Sequence, residues 1–193
     1  MKHTPENQIE QFAEFPVLET ERLVLREIVP ADAQDLLVFT GDPYVQRYNA
    51  RPMTNVSQAL AEIEEHQTLF LRQDGVAWGI TLKGSHRVVG RAGFHAWSLS
   101  NRAMLGYDLA REYWGLGIAS EAVSEVIRFG YEEMRLNRIE AETIEDNHES
   151  RRMLERIGFK LEGVRREYSL EDDGEYHGSA IYSLLRGEYN LMI

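Results

Sequence analysis

Apolar residues recur along this chain with two periods. Over residues 117–134 they return at Ile118, Ala122, Val126 and Phe129, with Val123, Ile127 and Met134 beside them. That spacing predicts a helix with one buried stripe. Over residues 138–143 the period is two: Ile139, Ala141 and Thr143 alternate with Glu140 and Glu142. This predicts a strand whose polar face is wet or lines a pocket. Upstream, residues 23–26 read as a first strand after Thr20-Glu21-Arg22. Pro30-Ala31-Asp32 opens a helix that carries Leu36, Leu37 and Phe39 and stops at Gly41-Asp42-Pro43. A second helix over about 55–72 has an approximate stripe of Ala59, Ile63, Leu69 and Phe70. Strands follow at 76–82, 88–97 and 103–109, the first two joined by the hairpin turn Lys83-Gly84-Ser85-His86. Asn147 is a good N-cap for a short helix over 148–157, and Gly158 suits its C-terminal cap. Two last strands, near 160–169 and 175–185, flank Glu171-Asp172-Asp173-Gly174.

Composition narrows the function. The 193 residues, 43% of them hydrophobic, are enough for one domain with a sizeable core. Residues 1–16 read as a polar arm and 17–193 as a single domain. There is no cysteine. That excludes an acyl-cysteine intermediate and thiolate metal sites, and it suits a reducing compartment. The six histidines show no metal-ligand spacing. No run is apolar enough for a membrane span, and the N-terminus lacks a signal-peptide core, so the expectation is a cytoplasmic protein with no membrane partner. The net charge of -11, from 21 basic and 32 acidic residues, argues against nucleic acid. It fits a cationic amine or a basic peptide, although ordinary solubility produces the same balance.

Gly106 to Glu121, GYDLAREYWGLGIASE, concentrates the candidate chemistry. A strand ends, a polar corner follows, and Gly115 and Gly117 stand before a helix. Free N–H groups and the helix dipole make such a corner an anion site, and glycine lets a ligand reach the backbone. A Rossmann loop would need a third glycine where Ser120 stands, and no Walker A string is present. A tight turn with no ligand would use the same glycines. Downstream come Asn147-His148-Glu149-Ser150 and Ile157-Gly158-Phe159.

Together these motifs resemble the GNAT N-acetyltransferase superfamily. The family's R/Q-x-x-G-x-G/A loop maps onto Trp114-Gly115-Leu116-Gly117-Ile118-Ala119, with Trp114 departing from the pattern. Tyr113 to Ala122 and Tyr182 to Leu185 are similar to the branch that acetylates ribosomal-protein N-termini on alanine or serine. The resemblance implies an α/β fold with a mixed, largely antiparallel sheet of about seven strands, flanked by about four helices. Two strands splay to admit acetyl-CoA, the co-substrate, and no metal is required. It implies that the N–H groups of 114–119 hold the pyrophosphate, with Ser120 adding a hydroxyl. Pantetheine would lie between 103–109 and 138–143, pairing with backbone near Leu109. Asn147 would bind CoA, cap its helix, or do both. Ser150 would protonate the departing thiolate, or cap the helix instead.

The general base is open. Many members carry Glu where this chain has Met104. Asp108, on the same strand parity, Glu142 and His95 are the candidates. Tyr44, Tyr48 and Arg51 could line an acceptor pocket with His95 and Tyr168, and Tyr168 is also a neighbour that could supply a proton in place of Ser150. Without an evident base, the acceptor should be an amine of low pKa, such as a protein N-terminus near 7.7–8.0, rather than lysine near 10.4. The expectation is direct transfer to a primary amine by a monomer or homodimer. The rivals are an acetyltransferase for small amines and a non-catalytic acyl-CoA-binding module.

Overall fold

The computed structural model describes residues 12–98, 101–171 and 174–192. Most of the expected arm, residues 1–11, lies outside them. Its described end is part of the core: Phe12 packs on Phe129, Phe15 packs on Phe70 and Trp78, and the Trp78 indole donates to the Pro16 carbonyl at 2.7 Å.

Eight strands form one sheet among the described residues: β1 (Leu18–Glu19), β2 (Leu23–Glu27), β3 (Val76–Leu82), β4 (Val88–Ser98), β5 (Arg102–Leu109), β6 (Arg138–Ile144), β7 (Lys160–Leu170) and β8 (Tyr176–Leu185). Their order is β1-β2-β3-β4-β5-β6-β8-β7. Every neighbouring pair is antiparallel except β5 and β6. Among the described residues six α-helices accompany the sheet: α1 (Ala33–Thr40), α2 (Pro43–Gln46), α3 (Val56–Arg72), α4 (Ile118–Glu132), α5 (His148–Arg156) and α6 (Arg186–Tyr189).

The extra elements beyond seven strands and four helices are short ones with little periodicity. β1 is two residues held by pairing to β2. The sequence Gly41-Asp42-Pro43 does end α1, and Asp42 then caps a new turn by accepting from the Tyr44 N–H at 2.8 Å. α6 is pinned by the Arg186 guanidinium, which donates to the carbonyls of Tyr131 and Leu136.

Two cores sandwich the sheet. α4 buries Ile118, Ala122, Val123, Val126, Ile127 and Phe129 on one face, where Trp78 meets Phe129 edge-on at 5.3 Å. Met153 and Leu154 of α5 join this core. α1 and α3 cover the opposite face with Leu36, Phe39, Ala59 and Ile63, packed on Ile28 and Val88. Burial of such side chains stabilises a fold by roughly 1.5–3 kcal/mol each before the opposing chain entropy.

The crossover from β5 through α4 to β6 positions the site. β5 and β6 pair in parallel from Arg102↔Arg138 to Leu105↔Ala141. Beyond that point Gly106–Leu109 pairs only with β4, and Glu142–Ile144 only with β8. The sheet therefore opens into a V whose apex is at Leu105 and Ala141.

Candidate active site

The mouth of the V is bounded by the glycine loop. Gly115 and Gly117 have φ of 74° and 76°, the left-handed region that other residues avoid. Gly117 is the N-cap of α4, and no side chain caps the helix. The first intrahelical bond of this turn is Glu121 N–H to the Gly117 carbonyl, at 3.0 Å. The N–H groups of Ile118, Ala119 and Ser120 precede it and are left for a ligand or water. A Cβ on Gly115 would meet nothing within 4 Å. The loop is thus an uncapped helix terminus with open space before it, the arrangement that holds a phosphate.

Three side chains shape this loop. The Trp114 indole donates to the Leu109 carbonyl at 2.7 Å and packs against both cores, so the residue that departs from the motif staples the loop to the end of β5. The Leu109 carbonyl, in the stretch of backbone expected to pair with pantetheine, thus accepts from Trp114. Ser120 accepts from the Arg156 guanidinium at 2.7 Å, which brings a cation from α5 to the helix start. Arg22 lies against Gly117 and is tied down by Glu121 at 2.6 Å and by the Leu116 carbonyl at 3.0 Å. Neither arginine is visible as a site residue in the sequence, because both arrive from remote elements.

Inside the V, the Tyr107 and Ser150 hydroxyls are 2.6 Å apart. Tyr107 follows the apex on β5, and Ser150 stands in the first turn of α5. The helix cap is supplied by Asn147, whose Oδ1 accepts from the Ser150 N–H at 3.2 Å. The Ser150 hydroxyl is therefore not spent on capping. Burial pushes the Tyr107 phenol up to about 12, against the pull of its bond to Ser150. It is a proton-holding group at neutral pH, linked to a second hydroxyl that faces the cleft. Tyr107 was legible only as a letter in the Met104-Leu105-Gly106-Tyr107 string; its pairing with Ser150 spans 43 positions.

The other side of the sheet presents carboxylates that are each tied to an arginine. Asp108 has the expected parity, since β4 and β5 keep an unbroken register from Gly90↔Leu109 to His95↔Met104. It is buried and saturated. Arg91 donates to its Oδ2 from Nε at 3.0 Å and from Nη2 at 2.8 Å, and Asn49 donates to its Oδ1 at 2.6 Å. Arg91 also binds Glu62 of α3. Burial works against the Arg91 charge, and the two carboxylates outweigh it. Glu142 accepts from Arg165 at 2.9 Å and from Ser179. His66 is held down at about 4 by burial and by Arg91, and His95, against Gly106, is lowered by the same two causes. Tyr44 is exposed, its ring 5.7 Å from that of Trp114, and it does not line the cleft, whereas Tyr48 does. Tyr168 is exposed on β7 beneath Arg165 and does not line the cleft. Residues from both sides of the V line one continuous cleft of 1040 Å³, which contains the loop, Tyr107, Ser150, Asn147, His95 and Asp108.

A family model described as an acetyltransferase (GNAT) domain matches residues 22–160. The chain belongs to the GNAT acetyltransferase family. It is 35% identical over 174 residues to YoaA, an uncharacterized N-acetyltransferase of Bacillus subtilis (strain 168), with 89% of this chain and 98% of YoaA covered. It is 31% identical over 94 residues to the [ribosomal protein uS5]-alanine N-acetyltransferase of Escherichia coli (strain K12), covering 49% of this chain and 45% of that enzyme. Its fold matches RimL, a ribosomal L7/L12 alpha-N-protein acetyltransferase solved in complex with coenzyme A, with a TM-score of 0.81 at 20% identity over 88% of this chain and 98% of that one. The open mixed sheet is the GNAT fold, and the chain is an N-acetyltransferase of the acetyl-CoA-dependent kind. No group of three or more potential metal-ligating side chains occurs among the described residues, and no helix among them is long and apolar enough to cross a membrane.

This GNAT site makes a testable distinction between its two hydroxyls. Ser150→Ala is expected to lower kcat by about 10²-fold, the low end for general acid help because a thiolate leaves readily. Tyr107→Phe keeps the serine proton and should cost about tenfold. Steady-state rates at saturating acetyl-CoA, with CoA dissociation constants measured alongside, check both. Wild-type turnover in Ser150→Ala would reduce the pair to a packing contact.

Proposed function

We propose that this GNAT domain moves acetyl from acetyl-CoA directly to a primary amine, and that its acceptor is the N-terminal α-amine of a protein or peptide. The observation that carries the acceptor is the state of the cleft carboxylates. Asp108 and Glu62 are bound to Arg91, and Glu142 is bound to Arg165 and Ser179. Both cleft histidines are held below the usual imidazole value, so they are neutral but weakly basic. These paired carboxylates and neutral imidazoles are poor bases for an ammonium of pKa about 10, and Glu149, at the cleft mouth, is 60% exposed and paired with Arg47 at 3.6 Å. An α-amine needs little help, since roughly a tenth is neutral at pH 7. The uS5-alanine and L7/L12 acetyltransferases named above support the same class of acceptor.

On this reading the N–H groups of residues 118–120 bind the pyrophosphate, and the V between β5 and β6 takes the pantetheine arm. Bound there, acetyl-CoA supplies an acyl group on a thioester. The protein's share is positional. Ser150 holds a proton at Oγ on the cleft side, and Tyr107 backs it. β4 places His95, and β5 places Gly106, on the acceptor side. With no cysteine in the chain, no thiol carries the acetyl group.

A panel of acceptors tests the reading. Peptides with free alanine or serine N-termini should release CoA thiol from acetyl-CoA faster than polyamines, amino acids, aminoglycosides, or N-blocked peptides containing lysine. With an active peptide, kcat/KM should rise with pH and level off near the acceptor's own pKa, about 8. Initial-rate lines should intersect. Preference for a small amine, or CoA binding without turnover on any amine, would overturn the acceptor assignment.

A further inference from the structure

One side chain ties the two walls of the cleft together. Arg47, just after α2, places a guanidinium nitrogen 3.6 Å from the Glu149 carboxylate, in the first turn of α5. α2 belongs to the α1/α3 side of the sheet and α5 to the α4 side. The contact therefore spans the mouth of the V. The guanidinium also lies 3.9 Å from the Tyr44 ring centroid, 4.8 Å from that of Tyr48 and 5.8 Å from that of Trp114. It donates to the Tyr44 carbonyl at 2.7 Å. This seat faces the indole of Trp114, the residue at the position where the family motif has Arg or Gln.

The partners of Arg47 are of unequal strength. The aromatic faces and the Tyr44 carbonyl fix its plane. The bond to Glu149 is long for a hydrogen bond, and the Glu149 side chain is 60% exposed, so it is a weak, exchangeable ion pair. Phosphate oxygens are a better match for a planar guanidinium, through paired charge-assisted bonds. Of the other cations near the loop, Arg22 is committed to Glu121 and to the Leu116 carbonyl, and Arg156 donates to Ser120.

We propose that Arg47 is a clamp on the donor's pyrophosphate: it rests on Glu149 and exchanges that carboxylate for the phosphates when the donor occupies the glycine loop. The exchange would draw α2 onto the donor and replace the charge that Trp114 removes from the loop. It rests on the acetyl-CoA reading above.

The test uses calorimetric dissociation constants for CoA, for dephospho-CoA, which lacks the 3′-phosphate, and for pantetheine, which lacks all phosphates. Arg47→Ala is expected to weaken CoA and dephospho-CoA alike by about tenfold, and to leave pantetheine unchanged. Glu149→Gln should tighten CoA about twofold in the wild-type background and have no effect in the Arg47→Ala background. Arg47→Lys should recover part of the affinity. A merely structural strut predicts that both single variants weaken CoA. Equal weakening of pantetheine, an effect confined to the 3′-phosphate, or equal tightening by Glu149→Gln in both backgrounds would each overturn the clamp. Melting temperatures of the variants exclude unfolding as the cause. Failure of the wild-type protein to bind CoA would instead remove the donor reading itself.

Discussion

Replacing Gly117 by valine is expected to abolish the stabilisation of this protein by CoA. Gly117 combines a left-handed backbone, with φ of 76°, and the N-cap position of an uncapped helix. A β-branched residue is strained there by about 1–3 kcal/mol, and its Cβ would meet the Arg22 guanidinium at 3.4 Å. More important for binding, a branched side chain would stand where a phosphate approaches the N–H groups of residues 118–120. Hydrogen bonds to a charged group are worth about 1.5–3 kcal/mol each, so losing two of them weakens CoA by about 10²-fold or more. At a CoA concentration ~100 times the wild-type dissociation constant, the ligand adds about 2.7 kcal/mol to stability. For a domain of this size that raises the melting temperature by roughly 5–10 °C. In the valine variant the same concentration only equals the dissociation constant, and the gain falls to about 0.4 kcal/mol. Thermal melts with and without CoA measure it, each variant against its own apo value. An unchanged CoA shift would remove the loop from the donor site.

Replacing Arg91 by methionine should produce the largest loss of stability of any change considered. Arg91 is 20% exposed and bridges Asp108 and Glu62, whose side chains are 7% and 18% exposed. Methionine keeps most of the volume and removes the cation from between the buried Asp108 and the half-buried Glu62, leaving Asp108 only its bond from Asn49. Breaking a buried pair in this way typically costs about 3–5 kcal/mol, which corresponds to a melting temperature lower by roughly 10 °C. Denaturant unfolding of both proteins measures it. A loss under ~1 kcal/mol would mean that the network is solvated surface.

The Arg91 network also shows where the sequence stops being informative. Asp108 was a sound candidate for the base by strand parity, and the parity is as expected. Its partners are 17 and 59 positions away, at Arg91 and Asn49. No local pattern announces that a carboxylate at the right register is already saturated. Glu142 is similar: alternation in β6 predicts a polar face, and the partners Arg165 and Ser179 come from β7 and β8. Tyr168 lies on the far strand of that hairpin and away from the cleft, because the order of strands is not written in any one of them.

The sequence by itself determined the elements that depend on near neighbours. The stripe from Ile118 to Phe129 requires a helix, the alternation around Ile139 requires a strand, and Asn147 starts α5. Gly115 and Gly117 require a corner that only residues without Cβ can turn. These follow from sterics and solvent exclusion within a few residues. Tertiary structure alone decided which polar groups meet: the Tyr107–Ser150 hydroxyl pair, the tie of Trp114 to Leu109, the reach of Arg47 across the V, and the saturation of Asp108. It also decided where the V opens, since the last β5–β6 pair at Leu105 and Ala141 is set by how α4 returns the chain to the sheet. A buried hydrogen bond or ion pair is fixed by the three-dimensional register of distant strands and helices, and that register is settled by packing of the whole core rather than by any residue's neighbours in the chain.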